Sequence, residues 1–236
     1  MLIDLHIHTV RGSSDSNLSL EELIQEATRI GLDGVCLTEH GGPWGDPVEF
    51  QRIARERGVL VIRAMEVETN MGHVTVFGVN GYESGIMDVH SLRRYAKRVG
   101  GYMVSAHPFR NLYSSPALAK MLLYPNANSR PHDPEEGAVH PVFQLVDAIE
   151  VGNGGNTDRE NDFTMEVADI LGKPCVGGSD AHSVHGLGRC VTAFEDDIRN
   201  EAEFLEALKS GRFYAAQGLH VGELQYFAAV GREGEA

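Results

Sequence analysis

Two histidines one residue apart close the opening stretch Met1-Leu2-Ile3-Asp4-Leu5-His6-Ile7-His8. Side chains alternate faces along a β-strand, so Asp4, His6 and His8 are expected on one face and Ile3, Leu5 and Ile7 on the other. Imidazoles gain little from burial alone. A pair of them converging on one spot is either a hydrogen-bonded part of a strand or half of a metal site. Histidine with carboxylate and no thiolate suits zinc, manganese or iron, and does not suit calcium or an iron–sulfur cluster.

The elements that must position such donors follow from the pattern after residue 8. Ser19 with Glu22 reads as a capping box opening a helix whose apolar stripe is Leu23, Ile24, Ala27 and Ile30, and Gly31 ends it. Gly34 to Thr38 is a short apolar strand, and Asp46 or Pro47 opens a second helix that runs to Arg57. Strands are expected at 59–67, 73–79, 102–106, 147–151 and 175–178, with helices at 91–99, 158–171 and 201–209 and a tail that adds one or two edge strands. Strand and helix thus alternate about seven times, which predicts parallel strands joined by helical crossovers. His8, His40, Glu66, His107, Asn153 and Asp180 all fall at C-terminal strand ends. A closed barrel brings all its strand ends to one mouth, whereas an open sheet uses those near one switch point, so an α/β barrel is the expectation. Residues 110–141 are too long for an ordinary strand-to-helix loop and read as a cover over that mouth.

Composition sets outer bounds. A length of 236 residues suits one large α/β domain, taken as 1–236, and 42% hydrophobic with 23% charged residues is ordinary for a folded chain. A formal charge of −14 argues against a broad nucleic-acid surface, which needs clustered Lys and Arg. Cys36, Cys175 and Cys190 are widely spaced and odd in number, as expected for reduced thiols in a cytoplasmic protein. The chain enters its first strand without a signal-peptide pattern, and no apolar run nears the roughly 18 residues of a membrane span, so no membrane partner is expected.

His6-Ile7-His8-Thr9, Ser14-Asp15-Ser16, Thr38-Glu39-His40, Glu66, Ala106-His107-Pro108 and Gly178-Ser179-Asp180-Ala181-His182, in this order, resemble the PHP (polymerase and histidinol phosphatase) superfamily. The likeness covers about residues 1–216. It implies a distorted seven-stranded (βα)7 barrel with two or three divalent metal ions, Zn, Mn or Fe, at the mouth. It also implies a ligand set: His6, His8, Glu66 and Asp180 on a first metal, Glu66 bridging to a second held by His107, and Asp15, His40 and His182 on a third. Taken singly, His107 also reads as a strand terminator, Glu66 as a solvated carboxylate and Asp15 as a turn residue. Two departures stand out. Val79-Asn80-Gly81 lacks the histidine that some relatives carry after strand four, and Glu39 stands where Asp is commoner. Glu150 and Asn153 are left outside the metal set. His73, His90, His132, His140, His185 and His220 read as surface or structural histidines, with His132, His140 and His185 placed where they could touch substrate.

A metal cluster lowers the pKa of a bridging water enough to give hydroxide near neutral pH, and it clamps both oxygens of an in-line displacement. Phosphate esters need that help most, being anionic and slow to hydrolyse unaided. Glu66, Asp180 and Arg110 are expected to carry catalysis, with Arg110, Arg189 and His185 contacting substrate. The leading expectation is a phosphoesterase for a small phosphorylated metabolite or nucleotide. The alternatives are an exonuclease-like phosphodiesterase and a non-catalytic, metal-stabilised binding domain.

Overall fold

The computed structural model describes residues 1–227; residues 228–236, part of the single domain expected from the length, lie outside the described residues. Strand β1 (Leu2–Ile7) leads through helix α1 (Leu20–Ile30) to β2 (Gly34–Glu39), and α2 (Pro47–Arg57) leads on to β3 (Leu60–Thr69). These three strands lie side by side and parallel. The capping box forms as expected, Ser19 with Glu22, and Asp46 accepts from Val48 N just ahead of Pro47. Helix α1 then buries Leu23, Ile24 and Ala27 among Val35, Leu37 and Val61 of the sheet, which fixes β1 and β2 in the layer beneath it.

The next connection departs from the expected crossover. Thr69 Oγ1 donates to Gly72 O at 2.6 Å, and Gly72 takes φ 83°. The chain therefore reverses in a tight hairpin, because Gly72 adopts the left-handed backbone at little cost. Strand β4 (Gly72–Phe77) consequently runs antiparallel to β3, with Glu68 opposite His73 and Glu66 opposite Thr75. Helix α3 (Val89–Val99) leads to β5 (Tyr102–Ser105), which is antiparallel to β4. After the cover and a short α4 (Pro134–Ala138) come β6 (Ala148–Asn153), α5 (Asp158–Leu171) and β7 (Cys175–Gly178), with β5, β6 and β7 parallel. On the other flank β8 (Cys190–Phe194) lies antiparallel to β1, β9 (Phe213–Gln217), reached through α6 (Glu201–Ser210), lies antiparallel to β8, and β10 (Gln225–Tyr226) antiparallel to β9.

Among the described residues the result is one curled, mixed, ten-stranded sheet in the order β10-β9-β8-β1-β2-β3-β4-β5-β6-β7, in place of the seven parallel strands of the expected barrel. Its two flanks meet at the mouth. His8 N donates to Ala181 O at 3.0 Å and Asp180 N to His6 O at 2.7 Å, while Thr192 Oγ1 exchanges hydrogen bonds with Gly177 N and O, each 2.9 Å long. Asp4 fastens the same seam, accepting from Ser179 N at 2.8 Å and Gly188 N at 3.1 Å. Asp4 thus leaves the histidine face on which simple alternation placed it. The β1–β2 register shifts between Asp4 and Ile7, so that Leu5 packs with Cys36, Ile62 and Ala64 whereas Ile7 packs with Leu23 and Leu37. Strand β8 escaped the sequence reading because its five residues are all buried and carry no alternation to detect.

The cover is itself packed. Leu112, Met121 and Leu123 are buried in the cluster that also holds Val74, Phe109 and Phe143. Arg130 spans it, donating to Leu112 O, Ser114 O and Ala119 O. Cys36 and Cys190 are buried free thiols and Cys175 is half-buried. No described helix is long and apolar enough to cross a membrane.

Candidate metal centre

Strands β1, β2, β3, β5 and β7 run the same way, so their C-terminal ends open on one side of the sheet. Strand β4 runs the other way, and its first residues reach that side too. Here His6 Nε2 and His8 Nε2 stand 3.1 Å apart. Around them lie Glu66, 3.4 Å from His6 and 3.3 Å from His8, and Asp180 Oδ1, 3.5 Å from His6 and 3.3 Å from His8. Donors on a tetrahedral ion with bonds of about 2.1 Å stand about 3.4 Å from one another. His6, His8 and Asp180 have separations close to that, and each ring also has a Glu66 oxygen at the same range, Oε1 for His6 and Oε2 for His8.

Glu66 Oε1 also lies 2.9 Å from His107 Nε2 and 2.9 Å from His73 Nδ1, and Glu66 Oε2 lies 3.4 Å from His40 Nδ1. One carboxylate therefore faces every imidazole of the mouth except His182. Asp15 closes the outer end, 3.5 Å from His40 Nε2 and 3.4 Å from His182 Nε2. Three donor sets, His6/His8/Asp180, His6/Glu66/His107 and His8/His40/His182, each have their ligand atoms within 4.8 Å of one another. The structure thus brings together all eight residues of the expected ligand set. Their depths differ: His6 and His8 are wholly buried, whereas Asp15 is 56% exposed.

The electrostatics fit a cation as well as the spacing does. Burial alone would push Glu66 and Asp180 up, yet His6 leads a set of partners that holds both well below the usual carboxylate range. His6 shows the converse. Burial opposes its charge, but Glu150, Asp180 and Glu66 raise it well above the ordinary imidazole value, and His8 is raised by Asp180 and Glu66. His107 and His40 go the other way, lowered by burial and by Arg110 or His8 beside them. Buried carboxylates that stay ionised need positive charge close by, which a protonated imidazole or a divalent ion can supply.

A second tier aims these donors. Glu150 accepts from His6 Nδ1 at 2.9 Å, His107 N at 2.8 Å and Asn153 Nδ2 at 2.8 Å, which orients the His6 ring from behind. Glu39 accepts from Thr9 N, Thr9 Oγ1, Ser13 Oγ and Trp44 Nε1, and Ser13 Oγ lies 3.0 Å from His8 Nδ1. Both carboxylates therefore support ligands without joining them. The backbone is strained where it delivers two donors, with φ 31° at His107 and 54° at Asp180. Gly178 matters for space, because a Cβ there would lie 2.5 Å from His6 Cβ and 2.7 Å from Glu150 Oε1.

His73 is the residue that the sequence reading placed outside the site. Its expected position at the start of a parallel strand would lie at the far end of the sheet; the hairpin at Gly72 turns that start to the mouth. The signal was Thr69-Asn70-Met71-Gly72 followed by histidine, a turn pattern beside Glu66 and Glu68.

Of the expected substrate contacts, Arg110 reaches the centre. One of its terminal nitrogens donates to Asp180 Oδ2 at 2.6 Å and to Asn153 Oδ1 at 2.5 Å, and its Nε donates to Asn156 Oδ1 at 3.0 Å. Arg189 does not: it is exposed at the start of β8, on a separate polar cavity. His185 also falls outside, in the turn Val184–Gly186 that packs on the flank of α1. His140 is spent inside the cover, accepting from Val142 N at 3.3 Å.

Residues 4–127 match the model of the PHP domain, and residues 158–213 match that of a PHP-associated segment. DNA polymerase III subunit alpha of Treponema pallidum is 26% identical over 208 residues, 76% of this chain and 18% of that protein. The chain spans between 6% and 18% of the curated relatives it matches. Among solved structures, a two-domain protein of Bacteroides vulgatus containing a predicted PHP-like metal-dependent phosphoesterase superposes with a TM-score of 0.65 at 22% identity, over 91% of this chain and 64% of that one. Endonuclease Q, in complex with a 27-mer duplex carrying an abasic lesion, superposes with a TM-score of 0.52 at 18% identity, over 89% of this chain and 57% of that one. With over half of its residues matched by one family model and the motif residues gathered at a single mouth, the chain belongs to the PHP domain family.

Proposed function

We propose that this protein is a metal-dependent phosphoesterase that hydrolyses a small phosphorylated metabolite or nucleotide. The observation that carries the reading is Glu66: one buried carboxylate stands within 3.4 Å of five imidazoles, those of His6, His8, His40, His73 and His107. No purely structural role calls for that convergence. Two or three divalent ions, Zn, Mn or Fe, would be held by His6, His8, Glu66 and Asp180, by Glu66, His73 and His107, and by Asp15, His40 and His182. Bound there, they would supply Lewis-acid activation of water and neutralise phosphoryl charge. The chain's own part is positional. Glu66 and Asp180 stay ionised and fix the cations, Glu150 and Ser13 hold the rings of His6 and His8, and Arg110 offers N–H donors beside Asp180 to a phosphoryl oxygen.

The experiment is hydrolysis of p-nitrophenyl phosphate and of bis-p-nitrophenyl phosphate by Mn²⁺- or Zn²⁺-loaded and by chelated protein. Activity on the monoester that disappears on chelation, and in folded His8→Ala and Asp180→Ala variants, supports the proposal; turnover unaffected by thorough chelation refutes it. Similarity to polymerase subunits and to endonuclease Q favours a second reading, cleavage of nucleic-acid phosphodiesters. A net charge of −14 weighs against it, and preference for the diester with salt-sensitive DNA binding would reverse the order.

A further inference from the structure

Between the β3–β4 hairpin, the end of β5 and the cover lies a cavity of about 210 Å³ that shares His73, His107 and Arg110 with the centre. The larger cavity beside Arg189 is lined by no metal donor. A phosphoryl group held at the centre and by Arg110 therefore has this smaller cavity next to it for whatever its ester oxygen carries. The roof is fixed in place. Leu123 packs on the hairpin, where a Cβ added to Gly72 would stand 3.5 Å from Leu123 Cδ1, and Asn111 Nδ2 donates to Lys120 O at 2.9 Å. The lining divides by chemistry. Ala106, Pro108, Leu122 and Leu123 give apolar surface, whereas the fully charged side chains on it are Arg110 and Lys120. No carboxylate lines it, in a chain whose net charge is −14. Arg110 is engaged by Asp180, Asn153 and Asn156. Lys120 makes no ion pair and no side-chain hydrogen bond among the described residues, and neither does the hydroxyl of Ser105, a residue buried in the same lining. Two donors thus stand unspent beside an apolar wall.

We infer that this cavity is the leaving-group subsite of the phosphoesterase, and that it takes a compact apolar body, no larger than one ring, bearing a single carboxylate. This rests on the phosphoesterase reading above. Size sets the first limit: an apolar cavity of about 150 Å³ is enough to hold benzene, so the space here holds one ring with a small substituent. Charge sets the second. One free ammonium matches one negative charge, whereas a second phosphate, carrying about two, would leave part of its charge unpaired. The carboxylate accepts from Lys120, and the ring lies against Leu122 and Leu123. On hydrolysis water adds to phosphorus, the bond from phosphorus to the ester oxygen breaks, and that oxygen takes up a proton and departs as the hydroxyl of the group in the cavity.

The test compares phenyl phosphate with 4-carboxyphenyl phosphate in the metal-loaded protein and in its Lys120→Gln and Leu122→Asn variants. Leu122→Asn is expected to lower kcat/KM for both esters about fivefold, through KM, and Lys120→Gln to lower it about tenfold for the carboxylated ester alone. Unchanged kinetics in Leu122→Asn overturn the subsite, and an equal effect of Lys120→Gln on the two esters overturns the carboxylate. If the wild type hydrolyses no ester with Mn²⁺ or Zn²⁺, the phosphoesterase reading fails by itself. The cavity is then read by saturation-transfer NMR with 4-hydroxybenzoate, the product of the second ester. A saturable signal that weakens in both variants supports the site; no signal, or one indifferent to the variants, overturns it.

Discussion

At the scale of single residues, the centre is a balance between ionised carboxylates and the cations that face them. Burial works against charge on both rings, but Glu150, Asp180 and Glu66 raise His6 and Asp180 and Glu66 raise His8, so in the metal-free protein these imidazoles keep protons to higher pH than free ones. A metal must displace those protons, so metal affinity is expected to rise with pH and to level off only above the raised imidazole values. Titration calorimetry in buffers of different ionisation enthalpy would register the proton release, and heats independent of buffer would contradict it. Arg110 is not a metal donor, so Arg110→Ala is expected to leave metal content intact while raising KM for phosphate esters about tenfold or more. Unaltered kinetics would remove it from the site. His73→Ala is expected to lower the number of bound metals by one, measured by elemental analysis, without unfolding the chain; full occupancy would return His73 to a supporting role.

Elements decide which of these residues can meet. The seam between β1 and the segment after β7 depends on Asp4, whose carboxylate takes three backbone N–H groups, those of His6, Ser179 and Gly188. Asp4→Asn places a donor against one of those donors and is expected to cost about 1–3 kcal/mol in chemical denaturation. A loss near zero would mean that the seam holds without it. The β3–β4 hairpin acts differently: it leaves the strand sequence unchanged in character but reverses its direction, and with it the end at which His73 is found. That reversal was written in the sequence as a turn pattern, yet the helical alternation on both sides outweighed it. Strand β8 left no pattern at all, because a short strand buried on both faces and a fragment of core helix look alike to a periodicity argument.

Over the whole molecule, the centre ties together residues delivered by β1, β2, β3, β4, β5 and β7, which are the arms of the curled sheet. A ligand that binds only the folded state stabilises it by about 2.7 kcal/mol at a hundredfold excess over its dissociation constant. Loading with Zn²⁺ or Mn²⁺ is therefore expected to raise the melting temperature of the wild type by several degrees, about 2–4 °C per kcal/mol at this chain length. Asp180→Ala should lose that rise. A melting temperature indifferent to metal in the wild type would show that the mouth is not cross-linked by ions.

The sequence by itself determined the chemistry and most of the elements: the donors His6, His8, His40, Glu66, His107, Asp180 and His182, the helix caps, and the alternation of strand with helix. These are legible because they depend on residue type and on spacing within one element. The direction of β4, the inward place of His73, the turning of Asp4 away from the histidines, and the separation of Arg189 and His185 from the centre were decided only by the tertiary structure. Each of those depends on which strand lies beside which and in what register, and local spacing carries no information about a neighbour that is distant in the chain.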